Sequence, residues 1–133
     1  MEKEINRVLI VDDSAVARKI IKRSLEIVGL QDAEFQEAGN GVEALARLKD
    51  TPFDLVCTDL SMPEMNGMQL LKRIKCSPKL SETPVVVISS LVNNIKEQQL
   101  LAEYALKVFK KPLSLPELGE FFKSYRVENM GKP

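Results

Sequence analysis

A chain of 133 residues with 19 Lys plus Arg and 19 Asp plus Glu is sized for one domain that closes its core without disulfides or a structural metal. Its balanced charge gives no pull toward nucleic acid or an anionic membrane. Histidine is absent, which excludes histidine-based catalysis and any phosphohistidine carried by this chain.

Apolar runs of strand length alternate with helix-period segments, predicting an α/β domain of five parallel strands and five helices. The polar start Met1-Glu2-Lys3-Glu4 leads directly into a first strand over about 7–12. With no signal segment and no run of membrane-spanning length, a cytoplasmic location is expected. The first helix, about 15–28, is expected to bury Val16, Ile20, Leu25 and Ile27 and to end near Gly29. A second strand, about 33–38, turns through Gly39-Asn40-Gly41 into a helix carrying Val42, Ala44, Leu45 and Leu48, stopped by Asp50-Thr51-Pro52.

The third strand, about 53–58, precedes a third helix at about 66–75 with Met68, Leu71 and Ile74 spaced for burial. A surface connection from Ser77 to Pro84 leads into the fourth strand, Val85-Val86-Val87-Ile88. A largely polar fourth helix follows at about 93–103, then a short fifth strand at about 106–110. The fifth helix, about 114–126, has Ser114 as its N-cap, Glu117 three residues on, and Leu118, Phe121 and Phe122 facing inward. Residues 1–126 are thus read as one domain and 127–133 as a flexible C-terminal tail. Cys57 and Cys76 have no metal or redox spacing and are expected to be ordinary thiols.

Four of the strands end in polar residues: Asp12-Asp13, Asp59, Ser89-Ser90 and Lys110-Lys111-Pro112. Ligands of an open parallel sheet bind beyond the carboxyl ends of its strands, where strand order reverses. Asp12, Asp13, Asp59, Ser89 and Lys111 are therefore expected at one edge, with the Asp59 carboxylate exposed. Three carboxylates repel and are seldom assembled without a cation, and the natural one is magnesium, which takes oxygen ligands and bridges carboxylates to a phosphate. Lys111 offers a mobile charge for a phosphoryl oxygen and Ser89 a short donor. An aspartate can then act as a covalent phosphoryl acceptor, and Asp59 is the expected one. Singly, each fragment has an ordinary reading: Asp12-Asp13-Ser14 as a helix cap, Met62-Pro63 with Asn66-Gly67 as a turn, the lysines as solvated. Their joint placement at strand ends outweighs those readings.

Together, Asp12-Asp13, Asp59-Leu60-Ser61-Met62-Pro63-Glu64-Met65-Asn66-Gly67, Ser89 and Lys111-Pro112 resemble the receiver domains of bacterial two-component response regulators, over roughly residues 6–126. The layout is most similar to a stand-alone chemotaxis receiver. The resemblance implies a flavodoxin-like (βα)5 three-layer fold with strand order 2-1-3-4-5. It implies that Asp59 takes a phosphoryl group from a sensor histidine kinase or phosphotransfer protein. Magnesium would be held by Asp13, Asp59 and the main-chain carbonyl of Ser61, with Asp12 acting largely through its waters, while Ser89 and Lys111 would contact the phosphoryl oxygens. The switched surface would be the fourth helix, fifth strand and fifth helix, docking a downstream protein. Such a protein is a phosphoacceptor that assists its own phosphotransfer and dephosphorylation rather than an enzyme.

The chain departs from the family pattern at two sites. Val108 stands where an aromatic residue is usual, and the adjacent Phe109 should face the other side of the strand. Tyr104-Ala105 replaces a common Gly-Ala turn. Leu91 and Ser61, two residues beyond Ser89 and Asp59, occupy positions that influence access of hydrolytic water, and Leu91 is expected to screen the phosphoryl group. Val108 keeps one alternative open, a phosphorylation-independent binding module of the same fold, against which the complete acidic and lysine positions argue. Haloacid-dehalogenase-like phosphatases would need Asp-x-Asp where this chain has Asp59-Leu60-Ser61, a flavin carrier's phosphate would be repelled by Asp12-Asp13, and no P-loop run occurs.

Overall fold

Five parallel strands alternate with five α-helices in the computed structural model, which describes residues 4–130, with side chains as far as Tyr125. The elements are β1 (Arg7–Val11), α1 (Ala15–Leu25), β2 (Glu34–Ala38), α2 (Gly41–Asp50), β3 (Leu55–Thr58), α3 (Gly67–Cys76), β4 (Val85–Ser89), α4 (Asn94–Ala102), β5 (Lys107–Lys110) and α5 (Leu115–Met130). The sheet order is β2-β1-β3-β4-β5, all pairs parallel, which is the expected flavodoxin-like arrangement.

The central strands β3 and β4 are buried throughout, because helices cover both faces of the sheet, and their sequences are accordingly continuous apolar runs. The pleat of β1 divides the core in two. Leu9 and Val11 pack with Ala44 and Leu48 of α2, Leu70, Leu71 and Ile74 of α3, and Leu100 of α4. Val8 and Ile10 pack with Ile21 and Leu25 of α1 and Leu118 and Phe122 of α5. Fully buried Phe109 and Phe122 are among the largest side chains of that second cluster, each contributing about 1.5–3 kcal/mol through removal from water.

The helices start on side-chain caps. Ser14, Asn40, Asn66 and Asn93 accept from the N–H of Ala17, Glu43, Gln69 and Lys96, and Asn66 with Gln69 makes a reciprocal capping box. Each cap contributes about 1 kcal/mol. Ser114 likewise accepts from Glu117 N–H at 3.3 Å.

Of the residues expected on the buried side of the first helix, Leu25 alone is buried. Ile21, Ser24 and Leu25 face the sheet, whereas Val16, Ile20 and Ile27 are more than half exposed. The helix carries two apolar stripes, Val16 with Ile20 and Ile21 with Leu25, and the second is the one that reaches the sheet. Val42 at the start of α2 is also exposed, and Leu70 joins Leu71 and Ile74 as a buried residue of α3. After α1 a π-helical turn, Glu26–Leu30, passes through Gly29 at φ 119, a conformation open to glycine. Tyr104 sits at φ 71, also left-handed, in the turn where glycine was the expected residue. Helix α5 continues to Met130, four residues beyond its predicted end, and the last three residues of the expected tail lie outside the described residues.

Candidate functional site

Val11 and Thr58 stand opposite one another at the ends of β1 and β3, so the next residue of each, Asp12 and Asp59, leaves the sheet side by side. Asp59 N–H donates to Val11 O at 2.9 Å, and Asp12 N–H donates to Ala38 O of β2 at 3.1 Å. This is the point where strand order reverses around β1. Asp12, Asp13 and Asp59 each offer a carboxylate oxygen there, all within 4.8 Å of one another.

Asp59 is only 8 % exposed, contrary to the exposed carboxylate expected from its place at a strand end. The loop from β3 to α3 folds back over it: Gly67 N–H donates to Leu60 O at 2.9 Å. A Cβ at Gly67 would lie 2.0 Å from Asp59 O and 2.9 Å from Leu60 Cα, so only glycine permits this approach. The far side of the loop is tied to α2, where Gly41 N–H donates to Met65 O at 3.1 Å. Within the site, Leu60 N–H donates to Asp59 Oδ1 at 2.7 Å and Thr58 Oγ1 donates to Asp59 O at 2.9 Å.

Lys111 closes the arrangement from the far end of the sequence. Its Nζ is 2.8 Å from Asp12 Oδ2 and 3.5 Å from Asp59 Oδ2. Burial lowers the lysine pKa, but the Asp12 hydrogen bond and the charges of Asp59 and Asp12 outweigh that effect and hold it above its ordinary value. Lys111 N–H donates to Ser89 O at 3.0 Å, which sets the lysine beside fully buried Ser89. The Ser89 hydroxyl accepts from Leu91 N–H at 3.1 Å, holding the loop after β4 close to the strand end. Leu91, 60 % exposed, lines a cleft of about 360 Å³ with Leu60, Ser61, Met62, Asn66, Met68 and Lys96.

The donor set suits a hard divalent cation: the ligands are carboxylate oxygens, and a lysine ammonium already occupies the space between two of them. Val108 lies on the α2–α3–α4 side of the sheet with Val87, Leu100 and Ala105. Phe109 faces the opposite side, edge-to-face with Phe121 at a centroid distance of 5.7 Å. No aromatic side chain therefore comes to the Val108 position from β5. Sequence reasoning missed Arg18, whose guanidinium reaches Asp12 O at 2.6 Å, because that contact depends on how α1 docks. It counted Gly67 in the turn and in the receiver-like run but did not anticipate its packing against the Asp59 backbone.

The protein-family model for the response regulator receiver domain matches residues 8–123. The chain is a member of the response regulator receiver family. It is 38% identical over 104 residues to chemotaxis protein CheY-3 of Vibrio cholerae, a match spanning 76% of each chain. Over 111 residues it is 42% identical to a protein-glutamate methylesterase/protein-glutamine glutaminase of Rhodospirillum rubrum, covering 81% of this chain but 28% of that protein. Among solved structures, the signal receiver domain of a DNA-binding response regulator from Colwellia psychrerythraea superposes with a TM-score of 0.82 at 26% identity, covering 92% of this chain and 98% of that one. The chemotaxis response regulator CheY4 of Vibrio cholerae superposes with a TM-score of 0.77 at 27% identity, covering 91% of this chain and 98% of that one.

Receiver domains are signalling phosphoacceptors of two-component systems, bind Mg2+ at their acidic pocket, and interact with histidine kinases and downstream targets. No helix among the described residues is long and apolar enough to cross a membrane.

Proposed function

We propose that this receiver is switched by phosphorylation of Asp59, with a phosphohistidine of a sensor kinase or phosphotransfer protein as donor. The observation that carries the reading is the convergence of Asp12, Asp13 and Asp59 within 4.8 Å under Lys111, which reaches two of the three. The Asp59 oxygen facing Lys111 forms the new bond to phosphorus as the P–N bond of the donor breaks, its electron pair remaining on the imidazole nitrogen. The other oxygen is held by Leu60 N–H, which fixes the direction of attack.

Asp13, Asp59 and the main-chain carbonyl of Ser61 would hold magnesium, with Asp12 acting largely through its waters, and the bound ion would supply charge neutralisation at the phosphoryl oxygens. Lys111 contacts those oxygens from one side and Ser89 from the other. Drawing the Ser89 hydroxyl toward a new dianion competes with its bond to Leu91 N–H, which biases the β4–α4 loop and the α4–β5–α5 face toward a second state that docks the downstream protein. With Val108 at the usual aromatic position, the loop carries that coupling. We place the protein in the cytoplasm with its kinase. The likeness to a chemotaxis receiver is supported by the match to CheY-3 across 76% of each chain.

Intact mass after incubation with Mg2+ and acetyl phosphate tests this reading, beside Asp59→Asn and a chelated control. A gain of one phosphoryl group that requires both Asp59 and Mg2+ is expected. No gain with either acetyl phosphate or a phosphorylated kinase would leave a phosphorylation-independent binding module of this fold.

A further inference from the structure

We infer that Arg18 is a positioning residue for the metal ligands, acting as a strut that sets the peptide between Asp12 and Asp13. The inference rests on the magnesium reading above. Arg18 projects from α1 with its side chain 20% exposed and uses its guanidinium in two directions. Nε meets Glu37 Oε1 of β2 at 2.7 Å, and Nη1 donates to the main-chain oxygen of Asp12 at 2.6 Å. A planar fork with separated N–H groups can make both bonds at once, which a lysine ammonium on a flexible stem cannot hold in the same geometry.

The consequence falls on Asp13. The oxygen that Arg18 holds belongs to the planar peptide whose nitrogen is that of Asp13, so fixing it fixes the plane from which the Asp13 side chain departs. Every polar group of Asp12 is engaged by a different part of the fold: its N–H by Ala38, its O by Arg18, Oδ1 by Ser14 N–H and Oδ2 by Lys111. Asp13 is exposed, and no side-chain hydrogen bond or ion pair is formed by it among the described residues. The point and direction from which its side chain departs are therefore set by its backbone, whose Asp12–Asp13 peptide is held by Arg18, itself anchored on Glu37.

Charge alone predicts the opposite effect of removing Arg18. A guanidinium close to a cation site repels the cation, so deleting it should tighten magnesium binding. The strut predicts weakening, because groups that orient metal ligands commonly contribute tenfold or more in affinity.

The deciding experiment is calorimetric titration of wild type, Arg18→Met and Arg18→Lys with MgCl2, each paired with a metal-free thermal melt. The strut gives a Kd raised about tenfold in Arg18→Met, and a comparable rise in Arg18→Lys, which keeps the charge but not the fork. An unchanged or tighter Kd in Arg18→Met, or wild-type affinity in Arg18→Lys, overturns the proposal. Absence of magnesium binding in wild type overturns the parent reading instead. A metal-free melting temperature near wild type in Arg18→Lys separates lost positioning from lost folding.

Discussion

Lys111 Nζ stands 2.8 Å from Asp12 Oδ2 and 3.5 Å from Asp59 Oδ2, so the residues that follow β1 and β3 and the turn after β5 meet around one ammonium group. The lysine neutralises carboxylates that would otherwise repel, and it competes with any metal for them. Replacing Lys111 with Met leaves the nearly buried Asp12 carboxylate without its cation and should cost about 2 kcal/mol in metal-free stability. Magnesium should then raise the melting temperature of the variant more than that of wild type, since its competitor is gone. Thermal melts with and without MgCl2 check both effects, and an equal metal-induced shift in the two proteins would contradict the competition.

Gly67 has no room for a side chain, because a Cβ would fall 2.0 Å from Asp59 O. Gly67→Ala must push the loop away from the carboxyl end of β3, at a cost of about 2–3 kcal/mol. The urea midpoint should fall accordingly, and phosphorylation of Asp59 by acetyl phosphate should slow. Retention of both would mean that the loop yields freely.

Leu91 is 60 % exposed and sits on the rim of the cleft beside Leu60 and Ser61. Trimming it to Ala should change stability by no more than about 0.5 kcal/mol. If its side chain screens the phosphorylated Asp59 from water, the phosphorylated form should decay roughly threefold faster, a barrier lowered by about 0.7 kcal/mol. The decay of the phosphorylated mass after removal of the donor measures it, and an unaltered half-life removes the screening role.

Cys57 is fully buried in β3, and burial pushes its thiol from the ordinary 9.0 up to about 12. A raised folded-state pKa contributes stability that is fully present below 9.0 and is lost as pH rises toward about 12. Lys111, also held above its ordinary value, loses its contribution in the same direction at higher pH. Cys57→Val should therefore flatten the alkaline fall in melting temperature without abolishing it. In the native protein a thiol reagent should modify exposed Cys76 alone, and both cysteines after unfolding.

What the sequence determined by itself is the set of strand ends and their chemistry. Continuous apolar runs such as Val85-Val86-Val87-Ile88 are buried on both faces only in a helix-covered parallel sheet, and that sheet has the expected order. The polar residues that interrupt those runs at Asp12, Asp59, Ser89 and Lys111 were legible because a strand end is where the chain leaves the core. The opposed facing of Val108 and Phe109 was legible too, since side chains alternate along a strand.

Only tertiary structure decided which stripe of α1 is buried, since Ile21 with Leu25 and Val16 with Ile20 satisfy the same helical spacing. It also decided that Asp59 is covered, that Gly67 lies against its backbone, and that Arg18 reaches Asp12 O. These outcomes depend on the angle at which a loop or helix docks on the sheet. That angle is set by packing among residues far apart in sequence, which local spacing does not encode.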